Sequence, residues 1–433
     1  MKKILKTLLP KVPVLKRVYK KYAAAVHQAD LLEQENARLA QQSLSLRLQL
    51  KKLRNEPVHV VFVCHRPAIW ESLHSVYDAL KNDPMFQVSI VAIPNKAQLP
   101  KLGLNHEEYE YEGALEFWKE EGCLCGFCPE TKEWLDLESL QPDYVFFQTP
   151  YNICRPPQYH SNVISKYAGL CYVSYFGSYH TDEIYDECAP LDYLKNLSFF
   201  FAQNARDEAH ITQRLSLVAP HFCKIINSGF PRYDRIDRYR TDFCDIWKQP
   251  DSFKIVWTPR WTTNEGNCHF FDYKDLIVDY CRDDPHVELV FRPHPQAFRE
   301  WNATGELPEK EADAYKQNFV DSNLHLDTSN SYYPTLYTSD CLITDKSSIL
   351  LDYFCTGKPI IYCTKDLSLE TLFPELLSGM YCVHTWEEVQ QVLDSLRRGN
   401  DPLRQQRMDT LQSFFLSDTP ANAKIVAALR EGL

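Results

Sequence analysis

Ser339-Asp340-Cys341-Leu342-Ile343-Thr344-Asp345-Lys346-Ser347-Ser348-Ile349-Leu350-Leu351-Asp352-Tyr353 is the stretch on which the fold turns. Leu342 and Ile343 read as an apolar strand. Thr344, Ser347 and Ser348 sit in the polar turn that follows, and Ile349, Leu350, Leu351 and Tyr353 supply the buried side of a helix. Strand, hydroxyl-rich turn and helix start together are suited to holding phosphate. Backbone N–H groups and the positive helix end face the ligand, and short hydroxyls add hydrogen bonds. Lys346 adds charge. Ser and Thr ahead of a helix also serve as ordinary N-caps, so the stretch takes its meaning from its neighbours.

Upstream, Val287-Glu288-Leu289-Val290-Phe291 reads as a buried strand that ends in Arg292-Pro293-His294-Pro295. Two prolines stop the strand and stiffen the turn. They leave Arg292 and His294 at its carboxyl end, where open α/β sheets bind ligands. Residues 253–257 end the same way in Thr258-Pro259-Arg260-Trp261-Thr262, and residues 224–227 in Ser228-Gly229-Phe230-Pro231-Arg232-Tyr233-Asp234. Four strand ends in order, each presenting Arg, His, Ser or Thr behind a Pro or Gly turn, point to a site for an anionic, phosphorylated ligand.

The ordered set Gly229-Phe230-Pro231-Arg232-Tyr233-Asp234, Thr258-Pro259-Arg260-Trp261, Arg292-Pro293-His294-Pro295, Thr344-Asp345-Lys346-Ser347-Ser348 with Asp352-Tyr353, and Lys358-Pro359 resembles the CDP-glycerol glycerophosphotransferase family of teichoic-acid and capsule synthesis. The resemblance spans residues 170–365. It implies an α/β, GT-B-like fold of two Rossmann-like domains facing a cleft, preceded here by an N-terminal helical or coiled-coil extension. It also implies a CDP-polyol donor and transfer of a polyol phosphate to a hydroxyl with release of CMP. The family's usual His-Gly pair corresponds to Phe176-Gly177, so Gly177 is kept and the histidine is not; His180 lies close by.

The 433 residues suit two domains plus an extension. The expected division is 1–56 for the extension, 57–240 for an acceptor domain and 241–433 for a CDP-donor domain. Most of the 15 cysteines stand singly in apolar runs, as Cys64, Cys171, Cys341, Cys355 and Cys363 do, which reads as reduced, core-filling thiols in a cytoplasmic protein. The basic start lacks the apolar core and cleavage site of a signal peptide, and no run reaches the length of a membrane span. Residues 1–55 carry 13 Lys/Arg against 3 Asp/Glu, and the remainder carries 34 against 55. A basic start on an acidic body is drawn to an anionic surface. The acidic body and the absence of a recognition motif argue against nucleic acid.

Residues 1–22 alternate Lys/Arg with apolar residues around Pro10 and Pro13. Such segments lie on anionic membrane surfaces, here the inner face of the cell membrane, or stand as solvated tails. Leu32, Leu39, Leu46 and Leu53 recur every seven residues, with Ala29, Asn36, Ser43 and Leu50 in the alternate core register. That pattern fits a parallel two-stranded coil, and hence a homodimer through residues 29–54, or equally a helix packed on its own body. Beyond it, residues 58–63, 86–93, 143–148, 170–175 and 198–203 read as strands alternating with helices, which predicts a parallel sheet. Arg66 and His65 lie at the end of the first strand, so His65 rivals His180 as base, and either also reads as a structural histidine. Cys123, Cys125 and Cys128 can begin a zinc site with His106 or Cys154, but no second C-x-x-C pair follows.

The expected chemistry is in-line displacement at the β-phosphate of a CDP-linked polyol, CDP-glycerol or CDP-ribitol, with a glycan or lipid-linked acceptor. No cofactor or metal is invoked, the donor being a substrate. Arg232, Arg260 and Arg292 clamp phosphate, and Thr344, Ser347 and Ser348 cradle it with Lys346. His294 donates to a phosphate oxygen, Asp352 binds a ribose or polyol hydroxyl, and Asp345 orients His294 or Lys346. Two other classes compete: a GT-B glycosyltransferase using a nucleotide sugar, which the loss of the His-Gly histidine favours, and a non-catalytic membrane-associated assembly protein, which intact Arg292, His294, Ser347 and Ser348 disfavour.

Overall fold

A computed structural model describes residues 13–96, 109–111, 113–177, 186, 189–218, 221–264, 268–282, 284–320, 323–329, 331–347, 349–366, 372–416 and 419–432. The chain forms two compact α/β units. The first gathers the described residues of Met1–Phe176, Asp186–Ser228 and Ala421–Leu433; the second gathers those of Gly177–Tyr185 and Gly229–Pro420. Each unit is built on one parallel sheet.

The first unit's sheet has seven strands: β1 (Val58–Cys64), β2 (Phe86–Ala92), β3 (Leu124–Cys125), β4 (Tyr144–Phe147), β5 (Gly169–Val173), β6 (Phe199–Ala202) and β7 (Lys224–Asn227). Their spatial order is β7-β6-β5-β4-β1-β2-β3. Every residue of β1, β4, β5 and β6 is buried, as expected of strands covered on both faces. Rings in register hold the layers together, Phe62 of β1 stacking 4.9 Å from Phe146 of β4. The chain runs outward from β1 through β2 to β3, then returns to build β4 to β7 on the other side. The strand order therefore reverses between β1 and β4, where the carboxyl ends of parallel strands leave a crevice.

The second unit's sheet has six strands: β8 (Phe253–Thr258), β9 (Val287–Phe291), β10 (Leu324–Leu326), β11 (Cys341–Thr344), β12 (Ile360–Cys363) and β13 (Tyr381–Val383). The order is β10-β9-β8-β11-β12-β13, and the reversal falls between β8 and β11. The core is dense in aromatic rings, with Phe270 stacked 4.1 Å from Trp301 and Trp257 4.8 Å from Phe291.

Residues 224–227 do form a strand, but it pairs with β6 in the first sheet, so three of the four motif-bearing strand ends share a sheet and the fourth does not. The turn after β7 nonetheless belongs to the second unit from Gly229 onward, and Gly229 has φ +88°, a backbone state that glycine adopts without strain.

The N-terminal extension is helix α1 (Pro13–Arg54), 42 residues and so about 63 Å long. Its second half is part of the first unit. Leu44 and Leu48 are buried, and Arg47 and Lys51 both reach the buried carboxylate of Asp143. Gly169 is needed there, since a Cβ would lie 2.8 Å from Leu44 and Tyr144. The heptad leucines take no part: Leu32, Leu39, Leu46 and Leu53 are 58%, 48%, 61% and 81% exposed. The helix does pack on its own body, then, but through a face the leucine repeat does not predict. The chain's last helix, α3 (Ala421–Glu431), packs on α2 (Glu71–Lys81) of the first unit, with Arg430 pairing with Asp83. No helix among the described residues is long and apolar enough to cross a membrane.

Candidate functional site

In the second unit the site is built from the paired ends of β8 and β11. Thr258 and Thr344 face each other in register. The Thr258 hydroxyl donates to Thr344 Oγ1 at 2.9 Å, and Thr344 Oγ1 donates to the Thr258 carbonyl at 2.8 Å. These buried hydroxyls lock the strand ends to each other, so Thr344 positions the turn and does not present its hydroxyl outward.

Asp345 is the next link. Its side chain is 1% exposed and accepts from the Arg260 backbone N–H at 2.5 Å and the His269 backbone N–H at 3.0 Å. Burial raises its pKa, against the pull of His269 and the Arg260 amide. The His269 ring is buried, lies 3.7 Å from the carboxylate and stacks on Tyr273 at 5.4 Å. Asp345 thus fixes the β8 turn, and neither His294 nor Lys346 is its partner. Arg260 in turn donates its Nη1 to the Lys346 carbonyl at 2.9 Å, which ties the two switch-point loops to each other. Lys346 and Ser347 are half-buried. The helix that follows, Ile349–Phe354, is only six residues long, so positioned side chains rather than a long helix dipole supply the positive field. Ser348 lies outside the described residues.

His294, at the end of neighbouring β9, is solvent-exposed and stacks on Trp261 at 5.4 Å with 22° between the planes. The Gln296 backbone N–H donates to its Nδ1 at 3.2 Å. That contact leaves the ring proton on Nε2, directed away from the turn. Burial of the ring's packed face, with the Arg260 charge second, lowers its pKa. His294 is therefore a neutral imidazole with an N–H to give, placed beside Arg260.

Arg292 and Arg232 stand further out, each held by an acid. Arg292 pairs with buried Asp327 at 2.7 Å, donates to the Ser329 carbonyl at 2.8 Å, and lies over the Tyr332 ring at 5.4 Å. Arg232 pairs with Asp352 at 2.6 Å and donates to the Tyr332 hydroxyl at 2.9 Å; that hydroxyl donates to the same Asp352 oxygen at 2.5 Å. Asp352 is thus engaged by Arg232 and Tyr332.

In the first unit, His65 and Arg66 follow β1, and Gln148 follows β4. Gln148 Oε1 accepts from both backbone N–H groups, at 2.7 and 2.9 Å, and its Nε2 donates to the Arg66 carbonyl at 3.0 Å. His65 is buried; burial first, then the charges of Arg155 and Arg66, bring its pKa down to about 3. Arg66 is exposed. Gly177 is half-buried, and Phe176 packs edge-on against Tyr175 at 5.3 Å while its carbonyl accepts from Gln203. His180 and His106 lie outside the described residues. Cys125 and Cys128 donate instead to the Phe127 carbonyl and to Glu130.

The sequence reading missed Trp261, His269, Asp327, Tyr332, Gln148 and Arg155. Only Trp261 carried a signal, since it lies inside a quoted motif; His269, Asp327, Tyr332 and Gln148 act through partners distant in the chain, and Arg155 through the turn that follows β4.

Comparison with known structures finds the same fold. A putative UDP-N-acetylglucosamine 2-epimerase from Listeria monocytogenes is 13% identical, with 87% of this chain and 96% of that one covered at a TM-score of 0.57. The UDP-GlcNAc 2-epimerase from Neisseria meningitidis bound to UDP-GlcNAc is 15% identical over 87% of this chain and 100% of that one, TM-score 0.51. The wall teichoic acid polymerase TagF is 14% identical over 91% and 97%, TM-score 0.50. At these identities the likeness concerns the GT-B-like fold alone. No curated protein matches the chain. Residues 206–398, which hold every strand-end motif from Arg232 to Asp352, match the CDP-Glycerol:Poly(glycerophosphate) glycerophosphotransferase family.

Proposed function

We propose that this CDP-glycerol-type glycerophosphotransferase moves a glycerol phosphate from CDP-glycerol to a hydroxyl of a glycan or lipid-linked acceptor in teichoic acid synthesis, releasing CMP. The observation that carries the reading is that the family match and the cationic switch point of the second sheet fall on the same residues. CDP-ribitol is the alternative donor within the same chemistry.

In this reading the acceptor oxygen attacks the β-phosphorus, the bond from that phosphorus to the oxygen bridging to CMP breaks, and CMP leaves with the electron pair. Phosphoryl transfer of this kind asks for positioning and charge stabilisation more than covalent help. Arg260 and Lys346 neutralise the diphosphate. His294, neutral with its Nε2 proton outward, donates to the oxygen on which charge develops. Arg292 and Arg232 position the neighbouring turns through Asp327 and Asp352. The acceptor's proton goes to a base late in the step. A histidine whose pKa is about 3 is a weak base, which favours His180 over His65. Residues 1–22 hold the protein on an anionic membrane surface at the cytoplasmic face, and the exposed leucine repeat of α1 pairs two copies in parallel, Asn36 against Asn36.

The test is release of CMP. Purified protein is incubated with CDP-glycerol, CDP-ribitol, and UDP- and GDP-sugars, and released nucleotide and melting temperature are recorded. CMP from a CDP-polyol alone, with stabilisation by that donor, is the expected result. Turnover of a nucleotide sugar instead places the protein among glycosyltransferases and refutes the assignment.

A further inference from the structure

The switch point of the first sheet holds a charge that the donor site does not explain. Arg155, eight residues beyond β4, is 3% exposed. Its Nη1 donates to the Thr149 carbonyl at 2.7 Å and its Nη2 to Asn152 Oδ1 at 3.3 Å, while its plane lies 4.1 Å from the Phe147 ring and 5.7 Å from the Tyr193 ring. Its Nε has no hydrogen-bond partner. Among the described residues no carboxylate pairs with it; the ionisable groups bearing on it are the Cys154 thiol and the Tyr193 and Tyr172 phenols, whose burial favours their neutral form. The hydroxyls of Thr149 and Tyr193 are also buried without partners, and the Tyr172 and Tyr193 rings meet at 5.4 Å.

An uncompensated buried guanidinium is strongly unfavourable, and a fold that keeps one implies a group that balances it. Trapped water satisfies hydroxyls but not a full charge. Two features say that the balancing group is an external anion. The cluster sits at the carboxyl ends of β1 and β4, where the strand order reverses and α/β sheets bind ligands. A second cation, the exposed Arg66, shares the place: its backbone N–H and carbonyl are bonded to the Gln148 side chain, and Gln148 is followed by Thr149, whose carbonyl accepts from Arg155.

We propose that Arg155 and Arg66 form a phosphate-binding site that recognises a phosphate ester of the acceptor, with the Arg155 Nε and the Thr149 and Tyr193 hydroxyls as donors. The proposal rests on the reading above, because an acceptor already extended by polyol phosphate is anionic whereas a bare hydroxyl acceptor is not. A planar guanidinium matches a phosphate's paired oxygens.

The test uses the full chain with its donor site saturated by CDP and calorimetric titration of inorganic phosphate or glycerophosphoglycerol, in the parent and in Arg155→Met and Arg66→Ala. Binding in the parent, weakened at least about tenfold in both variants, is the expected result; preference for the diester identifies the acceptor chain, and equal binding of free phosphate identifies the bare ion as sufficient. Arg155→Met without ligand is expected to melt at or above the parent temperature, since replacing an uncompensated buried charge with an apolar side chain of similar length removes a penalty. Phosphate binding that is absent from the parent, or that survives both substitutions, overturns the proposal. So does an Arg155→Met protein that melts several degrees lower while Arg66→Ala binds normally, because that marks a structural arginine. If CDP itself fails to bind, the donor reading fails, and the phosphate titration without CDP still decides for or against Arg155.

Discussion

Replacing Asp352 by Asn tests whether Arg232 and Asp352 contact the donor or serve each other. The Asp352 side chain is 3% exposed, and that of Arg232 is 24% exposed. Their 2.6 Å pair is completed by the Tyr332 hydroxyl on the same carboxylate oxygen. Removing one partner of a buried pair leaves the other charge uncompensated, at about 3–5 kcal/mol. The residual exposure of Arg232 places this site at the lower end, so Asp352→Asn is expected to destabilise the second unit by about 3 kcal/mol. Arg232→Met is expected to cost less, because the carboxylate it leaves keeps the Tyr332 hydroxyl as donor. The double variant Arg232→Met/Asp352→Asn, with no charge left to compensate, is expected to unfold within about 1 kcal/mol of the parent. The cycle should therefore show a coupling of at least about 2 kcal/mol. The assay is urea unfolding of the four proteins, followed by kcat/KM for CDP-glycerol. A structural pair predicts that the double variant recovers stability and most of its activity together. A coupling below about 0.5 kcal/mol, or a double variant that is stable yet unable to bind donor, refutes the pairing argument and returns both residues to the ligand.

His294→Ala is expected to lower transfer about 10²- to 10⁴-fold with no change in melting temperature, since the ring is exposed; full activity in CMP release removes it from the mechanism. His65 makes a pH prediction. Its folded pKa of about 3 lies below the unfolded value near 6.5, so the unfolded chain takes up more protons as pH falls below 6.5. The stability it contributes is present at neutral pH and lost toward pH 3. Between pH 6 and 4.5 the parent should lose about 2 kcal/mol more than His65→Asn, and parallel urea-midpoint curves for the two proteins contradict this. Asp345→Ala removes the acceptor of two backbone N–H groups and should lower both stability and donor affinity; a normal Kd for CDP shows that the β8 turn holds without it. Leu39→Asp with Leu46→Asp alters only exposed positions, so the monomer should fold normally while sedimentation shows loss of the proposed dimer. A dimer that survives rules out the leucine seam.

The strands were legible because a parallel sheet buries both faces, and runs such as Val58–Cys64 and Val287–Phe291 are then apolar throughout. Proline and glycine after each strand located the ends. Strand order was not legible: nothing in Lys224–Asn227 says that it pairs with Phe199–Ala202 rather than with Phe253–Thr258. Nor does any local pattern show that Ala421–Glu431 returns to the first unit, because that packing rests on Ile425 and Leu429 and on Arg430 meeting Asp83, 347 residues away. The leucine repeat of α1 misled in one respect. It is the apolar repeat of that helix, yet another face of mixed polarity, Gln41, Leu44, Arg47, Leu48 and Lys51, makes the contacts.

Residue type announced which groups carry charge at the strand ends, but not how each charge is used. Arg232, Arg260 and Arg292 look alike in sequence, each beside a proline. In the structure Arg292 and Arg232 are held by Asp327 and Asp352, while Arg260 is anchored through its backbone by Asp345 and through its guanidinium by a carbonyl. An arginine already paired with a carboxylate adds little net field for a diphosphate; what it adds is a fixed turn. In the proposed mechanism Arg260 and Lys346 face the donor, beside a histidine whose burial, with the Arg260 charge second, lowers its pKa. This division suits phosphoryl transfer, in which preorganised donors outperform a larger but mobile positive charge because they need no reorganisation as the transition state forms. It also sets an order of sensitivity. Substituting Arg260 by Met should depress kcat/KM more than the paired substitution of Arg292 and Asp327 by Met and Leu, although the latter removes a cation at an equivalent strand end. Equal losses in CMP release would show that both arginines meet the donor directly and that the carboxylates at Asp327 and Asp352 are displaced from them when it binds.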